Sequence, residues 1–425
     1  MVYLVFLQYA FASAASTIVS GAVTGRCTIE AYFVYSVIIS GFIYPFVVHW
    51  VWSEDGWLNN LGMVDFAGSG VIHMTGGVIS LMGAWMLGPR VERFALKADG
   101  SLGDTRPMPP NNVMMQTLGV FILWYGWYGF NAGSTVQVTD GKIYLAAKVA
   151  VNTTLSAAAA TTISVPIGRY LFGFFDLGLA LNCCLAGLVA ITAGCASVSP
   201  LSALVIGCFG AVFYVSASHM VLSLHIDDPL DAFAVHGVCG LWGVIATGIF
   251  SHNATIELFG VQLLGGLTIG IWASSTAYLV FKLCSVTVGL RVSSEVELAG
   301  IDKYEHGGDA TTVTTVWSLD DILGNRATKR ALMEYMKGLF SEESLEFLID
   351  MLELFAILDI DGRLAFLSEE CEILNSTMKI KETAWDLIGS IHESYITVGC
   401  DREVNIDSSL SKRITGNYHD EKGVA

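Results

Sequence analysis

The sequence predicts an all-α fold in two parts: a polytopic membrane helical bundle, followed by a separate soluble helical region. Three observations predict it. The 425 residues are 53% hydrophobic and only 14% charged, with mean hydropathy +0.58, whereas soluble domains run about 25% charged. Up to about residue 285 the chain is a succession of apolar runs of about 20 residues, the length a helix needs to cross a bilayer. Charge is also unevenly divided: residues 1–300 carry 15 acidic and 10 basic side chains, residues 301–425 carry 24 and 12. The boundaries follow as a membrane domain over 1–287, a cytoplasmic linker over 288–312 and a helical domain over 313–425. An acidic balance of −17 argues against nucleic acid, which needs basic patches.

Nine runs read as spanning helices, at about 2–23, 30–51, 66–88, 113–133, 143–165, 173–197, 200–222, 232–250 and 259–284. A transmembrane barrel would need alternating segments of about ten residues, and these runs do not alternate. Gly and Ala are dense throughout, as close helix packing in lipid favours. The first run, MVYLVFLQYAFASAAS, carries no charge before Arg26 and no cleavable signal pattern. Positive charges in short loops mark the cytoplasmic side. Arg26 follows the first run, Arg90, Arg93, Lys97 and Arg106 the third, Arg169 the fifth, and Lys282 and Arg291 the ninth. The N-terminus is therefore expected outside and the C-terminal region in the cytoplasm. Lys142 and Lys148 break the pattern, Lys148 as a side chain snorkelling from its helix end. The nine cysteines contain one close pair, Cys183–Cys184, and no CxxC. They read as small hydrophobes rather than a disulfide or zinc framework.

Ionisable residues inside spans are costly and are functional candidates by default. His73 stands in DFAGSGVIHMTGG, eight residues after Asp65, and His236 in DDPLDAFAVHGVCG, five after Asp231. Each reads either as a buried imidazole held for packing or as one of a pore-lining pair able to pass a proton. Asp65 reads as a helix N-cap or as the carboxylate that orients a cation site, and Asp231 as a cap. His219 reads as a packing residue and His49 as interfacial. The aromatic clusters YPFVVHWVW, GVFILWYGWYGFNAGS and QYAFAS are interfacial belts or rings that face a cation.

Together with LAGLVAITAGC, GLRVSSEVELAGIDKYEHGGDA and the collinear order of all these segments, they resemble the ammonium transporter family (Amt/Mep/Rh) over about residues 4–310. The resemblance implies the ammonium transporter fold, a homotrimer with one pore per subunit, and ammonium or ammonia as the species carried. It assigns ammonium recruitment to Trp52 and Ser134 with Asp65 in support, the gate to Phe11 and Phe130, and the pore histidines to His73 and His236. Ammonium is expected to shed its proton and cross as ammonia. The family has eleven spans against nine here, Phe11 belonging to the family's third. Leu7 stands where an outer aromatic is usual, and Gly25 where a Glu is expected. A truncated gene model is the favoured expectation; otherwise the chain does not transport by itself.

Residues 317–415 read as amphipathic helices, with Ser341 as an N-cap ahead of Glu343 and Glu346. FSEESLEFL and REVNIDSSLSKRI resemble a regulator of G-protein signalling (RGS) domain in order and spacing. The resemblance implies a Gα partner, contacted by Glu343, Ser344, Asn405 and Asp407. Ser344 replaces an Asn and Leu348 a Trp, and the chain stops at Ala425, before that family's last two helices. The functional expectation is ammonium transport in a multi-pass protein of the plasma membrane, with an ammonium sensor or a non-transporting scaffold acting through Gα as the alternatives. No enzyme chemistry, metal or cofactor is expected.

Overall fold

The computed structural model describes residues 2–97 and 101–305. The chain divides into two units, Met1–Gly308 and Asp309–Ala425. The described residues fall in the first. The RGS-like region over 313–425, with Glu343, Ser344, Asn405 and Asp407, lies outside the described residues.

Helix α1 (Val2–Val23) is followed by α2 (Ile29–Ile38), which runs through a π-turn (Ile39–Ile43) into α3 (Tyr44–Trp52), then by the short α4 (Trp57–Asn60). A second π-turn (Ser69–Met74) opens α5 (Thr75–Leu87). After a loop carrying strands β1 (Phe94–Leu96) and β2 (Leu102–Thr105) come α6 (Val113–Asn131), α7 (Lys142–Phe172), α8 (Leu177–Ile191) and α9 (Pro200–Ser223). A third π-turn (Phe233–Val238) opens α10 (Cys239–Phe250), and α11 (Ile256–Thr287), α12 (Ser294–Ala299) and α13 (Ile301–Glu305) complete the described part.

Seven of the nine expected runs are helices long and apolar enough to cross a membrane. The other two are α6, 19 residues interrupted by Trp, Tyr and Gly, and α8, only 15 residues long. The all-α expectation needs one correction. Phe94 pairs with Thr105 and Leu96 with Leu102 in a small antiparallel hairpin.

The helices start where short polar side chains can take an orphan N–H. Thr28 accepts from Ala31, Asn112 from Met115, Asp176 from Leu179, Ser199 from Ser202 and Thr255 from Leu258. Their packing is governed by small residues. A Cβ on Gly77 of α5 would stand 2.0 Å from the backbone nitrogen of Gly237, so the two histidine-bearing helices touch backbone to backbone. Nothing larger than glycine fits there, and this crossing fixes the separation of the residues either side of it.

One end of the bundle is tied by arginines. Arg26, fully buried, donates from Nε to Gly88 O (2.8 Å) and from Nη2 to Asp227 O (2.6 Å). Arg90 binds the Asp227 carboxylate through Nε on Oδ2 at 2.7 Å and Nη2 on Oδ1 at 3.0 Å, and Arg93 Nε lies 3.3 Å from the same Oδ1. Arg291 reaches Leu87 O and Pro89 O, both at 2.8 Å, and pairs with Glu297 at 2.8 Å. The loops carrying Arg26, Arg90, Arg93 and Arg291, expected on one side, thus meet in space. Burial works to push the Asp227 carboxyl up, but the Arg90 hydrogen bonds and the charges of Arg90 and Arg26 hold it below the usual carboxylate range. Burial also lowers the Arg26 guanidinium to about 10, still charged at neutral pH.

Candidate functional site

The site begins at the end opposite the arginines, with Asp65. Gly68 adopts φ of 103°, a conformation open to glycine at little cost, and this turns the chain back over the carboxylate. Oδ1 then accepts from Gly68 N (3.0 Å) and Ser69 N (2.8 Å), and Oδ2 from Gly70 N (2.8 Å) and Val71 N (2.9 Å). The four amides are the unsatisfied donors at the start of the His73 helix. Asp65 therefore caps that helix with both oxygens occupied. Burial pushes its carboxyl up, while the four amides pull it back. The Ser69 hydroxyl ties this turn to the neighbouring helix α8, donating to Val189 O at 2.6 Å and accepting from Ala193 N at 3.0 Å.

A continuous file of rings leads inward from this cap. The Trp52 indole N–H donates to Asp65 O at 2.7 Å, which fixes the plane of the ring. Its centroid lies 5.8 Å from that of Phe11, and Phe11 lies 4.5 Å from Phe130. Phe130 lies 5.2 Å from His73. His73 and His236 stack at 5.2 Å with their Nδ1 atoms 3.2 Å apart, so one Nδ1 carries the shared hydrogen and the other accepts it. Ser134 joins the file at Phe130, its hydroxyl donating to Phe130 O at 2.8 Å. All seven residues expected to form the recruitment site, gate and pore are thus connected, either by ring contacts or by a hydrogen bond to a member of the file.

Both histidines lie inside π-turns. Such turns widen a helix by one residue and occur often at functional sites. Here the two turns face each other across the Gly77–Gly237 crossing, which brings the imidazoles together. Val244 and Ile269 of the core pack near the Asp65 turn.

Sequence reasoning missed three features. Trp127 stacks on His73 at 5.0 Å and 10°, its indole N–H held by Thr192 Oγ1 at 3.0 Å. Its place three residues before Phe130 in WYGWYGF is the signal that it shares a helix face with the gate ring. The cap of the His236 helix is Asp228, whose Oδ2 accepts from Phe233 N at 2.7 Å, and not Asp231 as expected. Asp231 takes a left-handed backbone, φ 56°, which turns its carboxylate toward α8 and α9. There it accepts from Tyr214 OH and Ser218 Oγ, both at 2.8 Å, and from Asn182 at 3.5 Å. The aromatic clusters divide as well. Trp52, Trp127 and Phe130 turn inward, while Tyr125 and Phe121 are exposed, in keeping with a belt. His219 is exposed on α9 rather than packed, and His49 is exposed in the last turn of α3.

Comparison with known proteins agrees with this geometry. The family described as "Ammonium Transporter Family" matches residues 1–311. Ammonium transporter 3 of Dictyostelium discoideum is 36% identical over 322 residues, covering 72% of this chain and 74% of that protein. Ammonium transporter Amt2 of Archaeoglobus fulgidus is 37% identical, covering 72% of this chain and 69% of its own length. A solved structure titled "Sensor Amt Protein" superposes with TM-score 0.65 at 34% identity, over 70% of this chain and 75% of that one. Candida albicans Mep2 superposes with TM-score 0.62 at 26% identity, over 67% of this chain and 65% of its own. The apolar helices and these relatives make the chain a multi-pass membrane protein, and it belongs to the ammonium transporter family.

Proposed function

We propose that the protein moves ammonium across the membrane along the ring-lined file, each subunit of a homotrimer having its own path. The observation that carries the reading is the imidazole pair, Nδ1 to Nδ1 at 3.2 Å, at the end of a file of aromatic rings. A bare cation in such surroundings faces an idealised solvation cost on the order of 20 kcal/mol, whereas neutral ammonia does not. Ammonium is received against the Trp52 ring face and the Ser134 oxygen, whose lone pairs remain available while its hydrogen is given to Phe130 O. Asp65 acts through its negative charge and through its hold on Trp52, without touching the ion. Phe11 and Phe130 part to admit the substrate. The nitrogen loses a proton there, ammonia continues past His73 and His236, and the pair accepts and hands on the proton.

The arginine-lined end is the cytoplasmic one and the membrane is the plasma membrane. The region over 313–425 offers Glu343, Ser344, Asn405 and Asp407 to a Gα subunit; binding to Gα held in its transition-state form tests this part separately. A second reading, an ammonium sensor that signals without net transport, draws on the similarity to the structure titled "Sensor Amt Protein".

The test is ammonium-evoked current in a cell that lacks its own ammonium transporters, with His73→Ala and Trp52→Ala for comparison. Current is expected from the parent protein. His73→Ala should lower it by about a hundredfold, the scale of a lost proton-transfer group, and Trp52→Ala should raise the ammonium concentration needed for half-maximal current. Absence of current from every form, with protein present in the membrane, sinks the transport reading and leaves the sensor.

A further inference from the structure

The loop DDPLD, ahead of the His236 helix, holds three carboxylates, and their partners differ. Asp227 has Arg90 on one oxygen at 2.7 Å and on the other at 3.0 Å. Asp231 has Tyr214 and Asn182 on one oxygen and Ser218 on the other. Asp228 is only 8% exposed, and its Oδ2 accepts from Phe233 N at 2.7 Å. Its Oδ1 is buried and has no hydrogen-bond partner among the described residues. A buried, unpaired carboxylate oxygen is costly, and a bound proton relieves that cost by removing the charge.

The position of Asp228 matters as much as its missing partner. The His73 helix runs from Asp65 toward the arginine end, and the His236 helix starts from the arginine end and runs the other way. His236 lies one turn beyond Phe233, whose amide Asp228 holds. The order along the passage is therefore Asp65, His73, His236, Asp228. At the outer end the capping carboxylate has four amide donors and no oxygen to spare. At the inner end it has one strong donor and a spare oxygen.

We propose that Asp228 is the proton-release group of the passage: its unpaired oxygen receives the proton that the histidine pair hands on and gives it to ammonia emerging at the arginine-lined end. This rests on the transport reading above. An N–H bond breaks on ammonium at the outer end. An O–H bond forms on Asp228, then breaks as a new N–H bond forms on ammonia, so the carboxylate is regenerated and nothing is oxidised or reduced. The groups that face Asp228 fit an exchangeable proton. Burial, with Asp231 adding repulsion, pushes its carboxyl up to about 7, against the pull of the Phe233 and Ala232 amides and of Arg26.

The test uses the full chain in liposomes, with charge movement and total ammonium uptake measured together. Asp228→Asn retains an oxygen for the Phe233 amide but cannot exchange a proton. Its charge movement should fall about tenfold or more and lose its dependence on internal pH near 7, and Asp228→Glu should restore both in part. Unchanged charge movement in Asp228→Asn overturns the proposal while transport stands. So does a parent protein that takes up ammonium without moving charge. A parent that moves no ammonium removes the transport reading and this one together. If the Asn variant fails to fold, infrared titration of the parent decides. A buried carboxylic-acid C=O band that fades as pH rises through about 7, and shifts in Asp228→Glu, is expected; its absence overturns the assignment.

Discussion

The two histidine helices enter the bundle from opposite ends, each through a π-turn behind an aspartate, yet the ends are built differently. At the Asp65 end everything converges on one carboxylate: four amides on its oxygens and the Trp52 indole on its carbonyl. At the arginine end the same tasks are spread over three aspartates, one paired with arginines, one capping and one tied to hydroxyls. At the Asp65 end the capping carboxylate is fully committed. The arginine end separates holding from capping, which leaves one oxygen uncommitted. A single-point mount makes the Asp65 end the more fragile of the two.

Asp65→Ala puts that contrast under the greatest stress. It orphans four buried amides, each worth about 1–3 kcal/mol, and such a sum approaches the whole stability of a typical domain. The expected outcome is loss of monodisperse protein in detergent, with Asp65→Asn retaining part of it. If Asp65→Ala is isolated with normal yield and melting temperature, the single-mount account fails.

Smaller effects of opposite sign should come from the neighbours Asp227 and Asp228. The Asp227 carboxyl is lowered by its arginines, so its stabilisation is present at neutral pH and is lost as pH falls through a value below the ordinary carboxylate range. Asp227→Asn should cost about 3 kcal/mol near neutrality, as when one partner of a buried pair is removed. That cost should shrink in acid. The Asp228 carboxyl is raised to about 7, so the wild type loses stability as pH climbs from about 4, the unfolded value, to about 7. Asp228→Asn should flatten that slope. Thermal unfolding in detergent from about pH 7 down through the ordinary carboxylate value of about 4 and below it reads both, Asp228 above that value and Asp227 beneath it, and slopes of the same sign would mean that the two aspartates share one role. The smallest effect is expected from Lys148→Met. Lys148 Nζ donates to Ala196 O at 3.0 Å and meets His252 Nε2 at 3.2 Å, and their loss should lower stability by about 1 kcal/mol, visible as a small shift of the same melting curve.

Much of this was legible in the sequence because the two signals it rests on are local. Apolar runs of spanning length gave the bundle, and Asp65 and His73 eight residues apart lie within one capped turn. The π-turns were not legible, since widening a helix by one residue leaves the apolar pattern unchanged. Nor was the choice between Asp228 and Asp231. Both stand ahead of the helix, and Pro229 with the left-handed Asp231 backbone decides which carboxylate faces the amides. The hairpin at Phe94–Leu96 and Leu102–Thr105 escaped for a similar reason. Its strands are three and four residues long, too short for alternation to register. Lys148, half-buried, also holds a carbonyl of the segment after α8, Ala196 O at 3.0 Å, a partner that spacing alone does not reveal.

Arg26 sets a clock on assembly. Its guanidinium is fully buried, yet its partner carbonyl on Asp227 lies 201 residues later in the chain. At about 5–20 residues per second of synthesis, that carbonyl is made roughly 10–40 seconds after Arg26. Throughout that interval the charge must stay at the water interface, which keeps the loop after α1 on its own side of the bilayer while later helices insert. Its burial is therefore a late event, completed only once the His236 helix is about to follow, and a nascent chain stopped before Asp227 carries an exposed arginine as the mark of an unfinished bundle.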